Sequence, residues 1–309
     1  LTQNILIGVR DPFGIRPLVI GKVKESYVFA SETCALDIIG AKYIRDVENG
    51  EIVYVENGKL QSLKPFPTKK IRPCVFEYIY FSRPDSILNG ECAYEYRKRL
   101  GVELAKESNI DTDVVVPVPD SGNAAAIGYS KHSGINFELG LIRNHYVGRT
   151  FIEPAQKIRG LGVKLKLNAN KSSIKNKKIV LVDDSLVRGT TSYKIVNMLY
   201  DAGAKEVHLR IASPEIKFPD FYGIDMPTKK ELLAARKTVD EICKYINAKS
   251  LKFLSIDGLY KAIGFESRNK IYPQLTDHYF TGEYPVKPID ELGDNKITQL
   301  SLLSSASNN

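Results

Sequence analysis

The stretch that sets the fold reads Ile179-Val180-Leu181-Val182-Asp183-Asp184-Ser185-Leu186-Val187-Arg188-Gly189-Thr190-Thr191. Its first four residues are apolar and predict a buried strand, and a helical pattern follows over residues 190–202. Backbone N–H groups at the start of a helix, just beyond the carboxyl end of a strand, favour a bound phosphate. The stretch therefore predicts an α/β fold with a phosphate-binding turn at residues 185–191, here called the phosphate turn.

The two adjacent carboxylates of this stretch cannot share one role, since neighbouring residues of an extended chain point to opposite sides. Asp183 and Asp184 suit the hydroxyls of a sugar or a hard cation. Gly189 permits close approach of the backbone to a phosphate, and the hydroxyls of Thr190 and Thr191 can donate to its oxygens. An acidic turn that only caps a helix is the alternative, but the complete pattern favours a binding site.

Strand and helix patterns alternate along the middle of the chain. Alternation of this kind predicts a parallel sheet with right-handed crossovers and helices on its faces. The last long helix is predicted to open with a capping box, Thr228 to Glu231. The predicted strands are 113–118, 135–142, 178–182, 206–212 and 251–254, and the predicted helices are 91–107, 124–127, 190–202, 228–248 and 257–263.

The two ends of the chain differ from this middle part. Residues 1–65 contain short β-branched and aromatic runs separated by turns, of which Asn57-Gly58 is typical of a hairpin. Residues 64–73 contain three prolines and several lysines and predict a linker. We therefore expect three parts: residues 1–65, residues 66–265, and a C-terminal extension at 266–309 that ends in a disordered tail.

Composition excludes several classes of protein. Of 309 residues, 43% are hydrophobic and 26% charged, which is ordinary for a globular protein, and no apolar run is long enough to span a membrane. The four cysteines form no CxxC pair, which indicates reduced thiols in the cytoplasm. The net charge of +8 comes from scattered lysines, so we expect no nucleic-acid partner. The chain starts without Met or a secretory signal, as a processed product or fragment would.

Two further segments predict contacts with an anionic ligand. Residues 114–122 form a strand that ends in a Pro-Asp-Ser-Gly turn, which can present backbone N–H groups to a pyrophosphate on the neighbouring strand end. Residues 143–168 are basic and lack periodicity, so they could close over a substrate and exclude water. An ordinary turn and a solvated surface loop are the respective alternatives.

These motifs resemble those of a known family. The Asp-Asp stretch is similar to the phosphoribosyl pyrophosphate (PRPP) signature of type I phosphoribosyltransferases. Residues 10–18, 77–86, 146–152 and 221–225 look more specifically like the amidophosphoribosyltransferases of purine synthesis. The similarity is nearly continuous from about residue 5 to 265. It implies a phosphoribosyltransferase that forms 5-phosphoribosylamine from PRPP and ammonia.

The resemblance also implies roles for individual residues. Asp183 and Asp184 match the acidic pair that binds the PRPP ribose and Mg²⁺, and Ser121 matches a serine at the metal. Residues 143–168 match the loop that closes over PRPP, and Arg149 within it joins the two aspartates as an expected catalytic residue. The residues expected to bind PRPP are Ser121, Asp183, Asp184, Ser185, Arg188, Gly189, Thr190 and Thr191.

The resemblance implies that residues 1–65 are the C-terminal part of a β-rich glutaminase domain of the N-terminal-nucleophile type. In the family, the catalytic N-terminal Cys and the glutamine-binding residues precede the segment matched by residues 10–17. We therefore expect the chain as given to use free ammonia and not glutamine. Cys34 does not match the nucleophile and is expected to be a small buried residue.

One branch of the family binds a [4Fe–4S] cluster through four cysteines. Cys74 matches the first of these, but Asp220 stands at the second, and Leu275, Asp277 and His278 stand near the last two. A single thiolate cannot hold the cluster. We therefore expect Mg²⁺ as the cofactor and no iron–sulfur cluster.

The resemblance further implies feedback inhibition by purine nucleotides and assembly into a homo-oligomer. Two other functions stay open from the sequence. The chain could be a catalytically idle PRPP-binding regulator on the same fold, or a degenerate fragment that folds poorly because its N-terminal sheets lack partners.

Overall fold

The computed structural model describes residues 4–67, 69–144, 166–226 and 228–286. Its strands are β1 (Ile5–Val9), β2 (Val19–Val23), β3 (Ser26–Ala30), β4 (Lys42–Asp46), β5 (Ile52–Glu56), β6 (Lys59–Leu63), β7 (Ile87–Leu88), β8 (Glu91–Cys92), β9 (Val114–Pro117), β10 (Leu141–Arg143), β11 (Leu167–Ala169), β12 (Lys178–Asp183), β13 (Glu206–Ile211) and β14 (Ser250–Phe253). Its helices are α1 (Thr33–Ile38), α2 (Ala93–Ser108), α3 (Asn123–Ser133), α4 (Lys171–Ile174), α5 (Thr190–Asp201), α6 (Val239–Ile246), α7 (Ile256–Ile263) and α8 (His278–Thr281), with a π-helical turn at Glu77–Phe81 and a 3₁₀ turn at Leu233–Ala235.

A parallel sheet positions the candidate site. Its strands lie in the order β14, β13, β12, β9, and every pairing between them is parallel. The residues of β9 are all buried, as expected for a strand that helices cover on both faces. This arrangement confirms the α/β class, with helices on both sides of a parallel sheet, that the sequence predicts.

Alternation along β12 builds a separate core on each face of the sheet. Ile179 and Leu181 pack in a cluster with residues of α5 and α6. Val180 and Val182 pack in a second cluster with residues of α2, α3 and α7. Because both faces are covered, the strand is apolar from Ile179 to Val182, between the lysine at its start and the acidic residues at its carboxyl end.

Helices α2 and α3 approach each other unusually closely. A Cβ atom at Gly101 would lie 1.8 Å from the carbonyl oxygen of Ala125, and one at Gly128 would lie 1.9 Å from that of Lys98. No side chain fits in either place unless the helices separate. The two glycines therefore fix the distance between the helices that cover one face of the sheet.

The predicted start of the helix at residue 228 is wrong. Thr228 and Glu231 form a turn, in which the Glu231 N–H donates to the Thr228 carbonyl at 2.8 Å. Helix α6 begins at Val239, and its capping box is formed by Thr238 and Glu241. The N–H of Leu233 donates to the carbonyl of Val187, so tertiary contact with the phosphate turn prevents the segment from continuing as a helix.

The strand predicted at 135–142 is also wrong. Phe137 forms an isolated bridge to Val115, so the chain touches the edge of the sheet only briefly. Strand β10 then pairs antiparallel with β11, outside the parallel sheet. The two ends of the basic segment 143–168 therefore meet in one short ladder, while residues 145–165 lie outside the described residues.

The N-terminal part contains two antiparallel sheets, one of β1, β5 and β6 and the other of β3, β2 and β4. The predicted hairpin at Asn57-Gly58 is confirmed: it joins β5 to β6, and both residues have positive φ, 49° and 72°. Helix α1 and strand β4 were not predicted. One small core cluster of this part contains the buried residues Ile20, Val47 and Val53, and Leu36 of α1 is also fully buried.

The first half of the C-terminal extension packs against the rest of the chain. Thr276 pairs with Cys74, and its N–H donates to the carbonyl of Pro73 at 2.9 Å. Asp277 is fully buried and accepts hydrogen bonds from Arg268 at 2.6 Å and from Tyr260 at 2.8 Å. The predicted disordered tail lies outside the described residues. Within the described ranges, no helix has the length and apolar content of a membrane span.

Glu51 joins the two N-terminal sheets. Its buried carboxylate accepts hydrogen bonds from both terminal nitrogens of Arg45 on β4, at 2.8 and 2.7 Å, and from the hydroxyl of Ser62 on β6. The backbone N–H of Glu48 donates to it at 2.6 Å. The hydrogen bonds from Arg45, opposed by burial, lower the pKa of Glu51 from 4.5 to about 2.

We expect Glu51→Gln to destabilise the chain by about 1–3 kcal/mol at pH 7, because hydrogen bonds to a charged group are lost. The ionised carboxylate stabilises the fold fully above its unfolded pKa of 4.5, and this stabilisation is lost as the pH falls toward 2. Chemical unfolding of both proteins between pH 7 and pH 3.5 measures the effect, and the difference should shrink on acidification.

Glu25→Gln is the matched control, since it removes an exposed ion pair with Lys22 at the tip of a hairpin. It should change stability by less than about 0.5 kcal/mol at any pH. A Glu51→Gln effect that stayed constant over the whole pH range would contradict the prediction.

Candidate functional site

The site lies where strand order reverses in the parallel sheet. The chain leaves β9 toward Phe137 on one side, whereas it leaves β12 toward β13 on the other, which opens a crevice at their carboxyl ends. The N–H of Val118 donates to the carbonyl of Val182 at 2.8 Å, so the two strand ends stay in contact. Ligands of open α/β sheets bind in such a crevice.

The acidic pair Asp183 and Asp184 lies in this crevice and is almost entirely buried, with 9% and 6% of each residue exposed. The N–H of Asp184 donates to Asp183 Oδ1 at 2.9 Å. Burial and the charge of Asp184 raise the pKa of Asp183. Burial also raises the pKa of Asp184, although hydrogen bonds from Ser121 and Ser185 and the charge of Arg97 oppose it. Two such carboxyls favour a cation or sugar hydroxyls beside them.

The loop after β9 brings Ser121 to the acidic pair. The Ser121 hydroxyl lies beside Asp184 and opposes the rise in the pKa of that carboxyl. Gly122 lies so close to β12 that a Cβ atom there would be 2.4 Å from the carbonyl oxygen of Val182. Asp120, the residue before Ser121, pairs with Arg143 at the start of the basic segment. The predicted pyrophosphate loop therefore faces the acidic pair directly.

The phosphate turn leads from the acidic pair into α5. Gly189 has φ 74°, and a Cβ atom there would lie 2.5 Å from a side-chain carbon of Leu233, so glycine is required. Thr190 and Thr191 begin the helix and are exposed, and no described side chain caps it. Arg188 is exposed and pairs with Glu231 at 3.2 Å. The first N–H groups of the helix are thus open to an anion.

The structure brings together most of the residues that the sequence predicts for the site. Ser121, Asp183, Asp184 and Ser185 form one connected group, and Arg188, Gly189, Thr190 and Thr191 follow it along the phosphate turn. Arg149 lies outside the described residues. Their roles in binding and catalysis remain predictions.

Sequence reasoning missed one residue beside the site. Arg97 is buried within α2, and its charge acts on Asp184. Its position carried a signal, because it falls among Ala93, Tyr96, Leu100 and Leu104 on the apolar face of the helix. A lone arginine on such a face is an exception that needs a buried partner.

The positions implied for an iron–sulfur cluster do not offer four thiolates. Burial raises the pKa of the Cys74 thiol to about 11, and its sulfur lies 3.3 Å from the hydroxyl of Tyr279. His278 Nε2 lies 3.0 Å from Asp220 Oδ1, and both side chains are fully buried. Asp277 is bound to Arg268. No three His, Cys, Asp or Glu side chains of the described residues are arranged to hold a metal ion, so these residues do not fit the cluster.

The fold, the crevice and the phosphate turn together define a type I phosphoribosyltransferase architecture preceded by a β-rich part. Comparison with known proteins narrows this class. No protein-family model matches the chain. The chain is 57% identical over 311 residues to amidophosphoribosyltransferase of Rhizobium etli, an alignment that covers 99% of this chain and 63% of the relative. It is 53% identical to chloroplastic amidophosphoribosyltransferase 2 of Arabidopsis thaliana, over 94% of this chain and 51% of the relative.

A solved structure agrees with the sequence relatives. Glutamine PRPP amidotransferase from B. subtilis, complexed with ADP and GMP, superposes with a TM-score of 0.85 at 48% identity, over 93% of this chain and 63% of that chain. Over nearly its whole length the chain is therefore homologous to the amidophosphoribosyltransferases, as its motifs predict. It spans between about half and under two thirds of the length of these relatives.

We predict that the purified protein is colourless and holds no iron–sulfur cluster, because Cys74 alone among the implied positions is a cysteine. Anaerobic purification followed by iron and acid-labile sulfide analysis checks this, with an absorption spectrum in the visible range. Stoichiometric iron and sulfide would contradict the prediction and would show that Asp220 or His278 acts as a ligand.

Proposed function

We propose that this chain binds PRPP and forms 5-phosphoribosylamine from PRPP and ammonia, the reaction that opens purine synthesis. The observation that carries the proposal is the buried pair Asp183 and Asp184 at the sheet crevice, continuous with the phosphate turn. Homology to amidophosphoribosyltransferases over 99% of the chain supports it.

The proposed binding mode assigns each part of PRPP to one part of the site. The 5′-phosphate accepts hydrogen bonds from the phosphate turn and from the first N–H groups of α5. The ribose hydroxyls lie beside Asp183 and Asp184, and the pyrophosphate lies against residues 119–122. The turn and the acidic pair are adjacent in the chain, which suits a ligand whose phosphate and ribose are also adjacent.

A divalent cation fits the same residues. Two adjacent buried carboxyls and the hydroxyl of Ser121 are oxygen donors of the kind that Mg²⁺ prefers. Ser121, Asp183 and Asp184 would hold the ion. When bound, Mg²⁺ supplies positive charge that stabilises the leaving pyrophosphate.

The proposed reaction needs positioning and electrostatics and no covalent nucleophile of the protein. Ammonia forms a bond to C1 of the ribose as the bond from C1 to the pyrophosphate oxygen breaks, and the electron pair leaves with pyrophosphate. Positive charge that develops on the ribose is stabilised by the carboxylates of Asp183 and Asp184, and N–H groups near Ser121 stabilise the leaving group. The segment that contains Arg149 is assigned to exclude water and to offer a cation to pyrophosphate.

The remaining parts of the proposal rest on the relatives. We assign supply of ammonia from glutamine to the portion of the relatives that this chain does not span. The B. subtilis structure contains ADP and GMP, which supports purine nucleotides as inhibitors of this chain. Assembly into a homo-oligomer and a cytoplasmic location, without nucleic-acid partners, complete the proposal.

Asp183→Asn tests the binding site. We expect PRPP affinity in the presence of Mg²⁺ to fall about tenfold or more, equivalent to about 1.4 kcal/mol, because one carboxylate is lost from the site. Isothermal titration calorimetry measures the affinity. Asp201→Asn, an exposed substitution at the far end of α5, is the control and should bind like the parent chain. Unchanged affinity in Asp183→Asn would overturn the site assignment.

The source of nitrogen provides a second test. We expect pyrophosphate release from PRPP with ammonium chloride and not with glutamine, because no residue of this sequence matches the family's nucleophile. The rate should rise with pH as ammonium loses its proton. Both nitrogen sources are compared in one buffer at one ionic strength. Glutamine-driven turnover that a thiol reagent abolishes would contradict the expectation and would point to Cys34.

The same assays separate the two alternative functions. An idle PRPP-binding regulator would bind PRPP with the affinity of an enzyme but release no pyrophosphate with ammonia. A degenerate fragment would lack a cooperative thermal transition and would not bind PRPP at all.

A further inference from the structure

Arg97 is a buried cation to which no carboxylate of the described residues is hydrogen-bonded. Only 5% of the residue is exposed. Its guanidinium donates to three backbone carbonyls: Tyr78 at 3.2 Å, Glu77 at 3.4 Å and Ser82 at 2.6 Å. Carbonyl oxygens accept hydrogen bonds from Nε and Nη2 of the guanidinium but leave its charge unpaired. Burial of an unpaired charge is costly, and burial accordingly lowers the pKa of Arg97.

Neighbouring acids that could neutralise Arg97 have partners of their own. Glu77 lies 3.0 Å from Arg16 and accepts a hydrogen bond from Ser82. Glu32 accepts from the backbone N–H of Arg83 at 2.7 Å and from a serine hydroxyl. Glu32 and Glu77 also raise the pKa of Arg97, but each does so less than Asp184, and the hydrogen bonds of the guanidinium go to carbonyl oxygens.

The charge of Arg97 acts instead on the candidate site. Helix α2 covers the face of the sheet to which Val180 and Val182 point. Asp184 directly follows β12, and its carboxyl lies beside Ser121 in the loop that leads into α3, a helix that packs on the same face of the sheet. Among the neighbouring charges, Asp184 affects the pKa of Arg97 most, ahead of Glu32.

We propose that Arg97 is a positioning residue of the PRPP site, which holds a fixed positive charge behind Asp184 and so balances the acidic pair for an anionic substrate. The inference rests on the proposed function. Two buried carboxylates attract a cation but repel the phosphates of PRPP. A cation behind them that is held by carbonyls, and not by an acid, offsets that repulsion.

Removal of this charge should affect a cation and an anion in opposite directions. Arg97→Gln keeps N–H donors for the carbonyls and loses the charge. The variant should bind Mn²⁺ alone about threefold more tightly, and PRPP at saturating Mg²⁺ about tenfold more weakly, because the local potential becomes more negative. A purely structural role of Arg97 would change both affinities in the same direction.

The experiment compares four proteins: the parent chain, Arg97→Gln, Arg97→Lys and Arg99→Met. Mn²⁺ binding is measured by electron paramagnetic resonance, PRPP binding by calorimetry, and folding by circular dichroism and thermal melting. Arg97→Lys keeps the charge and should bind both ligands within about twofold of the parent. Arg99 is the matched control on the same helix, since its guanidinium is bound by the Glu91 carboxylate at 2.6 and 2.7 Å. Arg99→Met should leave both affinities unchanged.

Each outcome decides the inference. Opposite shifts in Arg97→Gln, with recovery in Arg97→Lys, support it. If both affinities of Arg97→Gln shift in the same direction, or if neither shifts, the inference is overturned. Loss of PRPP affinity in a folded Arg97→Lys also overturns it. The Arg97→Lys measurement therefore decides the question if Arg97→Gln fails to fold. A folded parent chain that binds no PRPP overturns the proposed function, and this inference with it.

Discussion

The pairing of β9 with β12 is the constraint on which the site depends. These strands are remote in the chain, yet they run parallel in register, and the contact continues past β9 through the bond between Val118 and Val182. Parallel neighbours share one carboxyl edge, so the loop that bears Ser121 meets the acidic pair. Gly122 permits this short separation, because a Cβ atom at that position would lie 2.4 Å from the carbonyl oxygen of Val182. Main-chain geometry therefore sets the distance between the side chains that form the site.

The pairing of β9 with β12 also places two carboxyls at the crevice, and the surrounding residues do not fully neutralise their negative charge. Asp183 and Asp184 are both buried, and burial raises the pKa of each. The hydroxyls of Ser121 and Ser185 lower the pKa of Asp184, against the effect of burial, and the backbone N–H of Asp184 donates to Asp183. A buried acidic pair of this kind reduces the stability of the empty protein. Binding of a cation or of a hydroxyl-rich ligand restores the lost stability. Carboxyls with strongly shifted pKa values therefore often mark functional sites.

Local patterns in the sequence predicted the sheet and the acidic pair, and missed what depends on tertiary contacts. The apolar run before Asp183 and the helix after Gly189 are recognisable from residue order alone. The predicted helix start at Thr228 is wrong because the sequence contains two Thr-x-x-Glu capping boxes. The hydrogen bond between Leu233 and Val187 prevents a helix after the first box, so the helix begins at the second. Arg97 could not be assigned to Asp184, since only the packing of α2 on the sheet places it behind the pair.

The motif at residues 10–17 forms a loop that is held by its own hydrogen bonds and contacts the π-helical turn at Glu77–Phe81. Asp11 accepts the N–H groups of Phe13 and Ile15, both at 2.8 Å, and Arg10 donates to carbonyls on both sides of the loop. The rigid loop delivers Arg16 to Glu77 at the start of the π-helical turn. That turn holds Arg97 through its carbonyls. Glu77 is paired with Arg16 and raises the pKa of Arg97 less than Asp184 does, so the β-rich part contributes through Arg16 to the charge balance around Arg97.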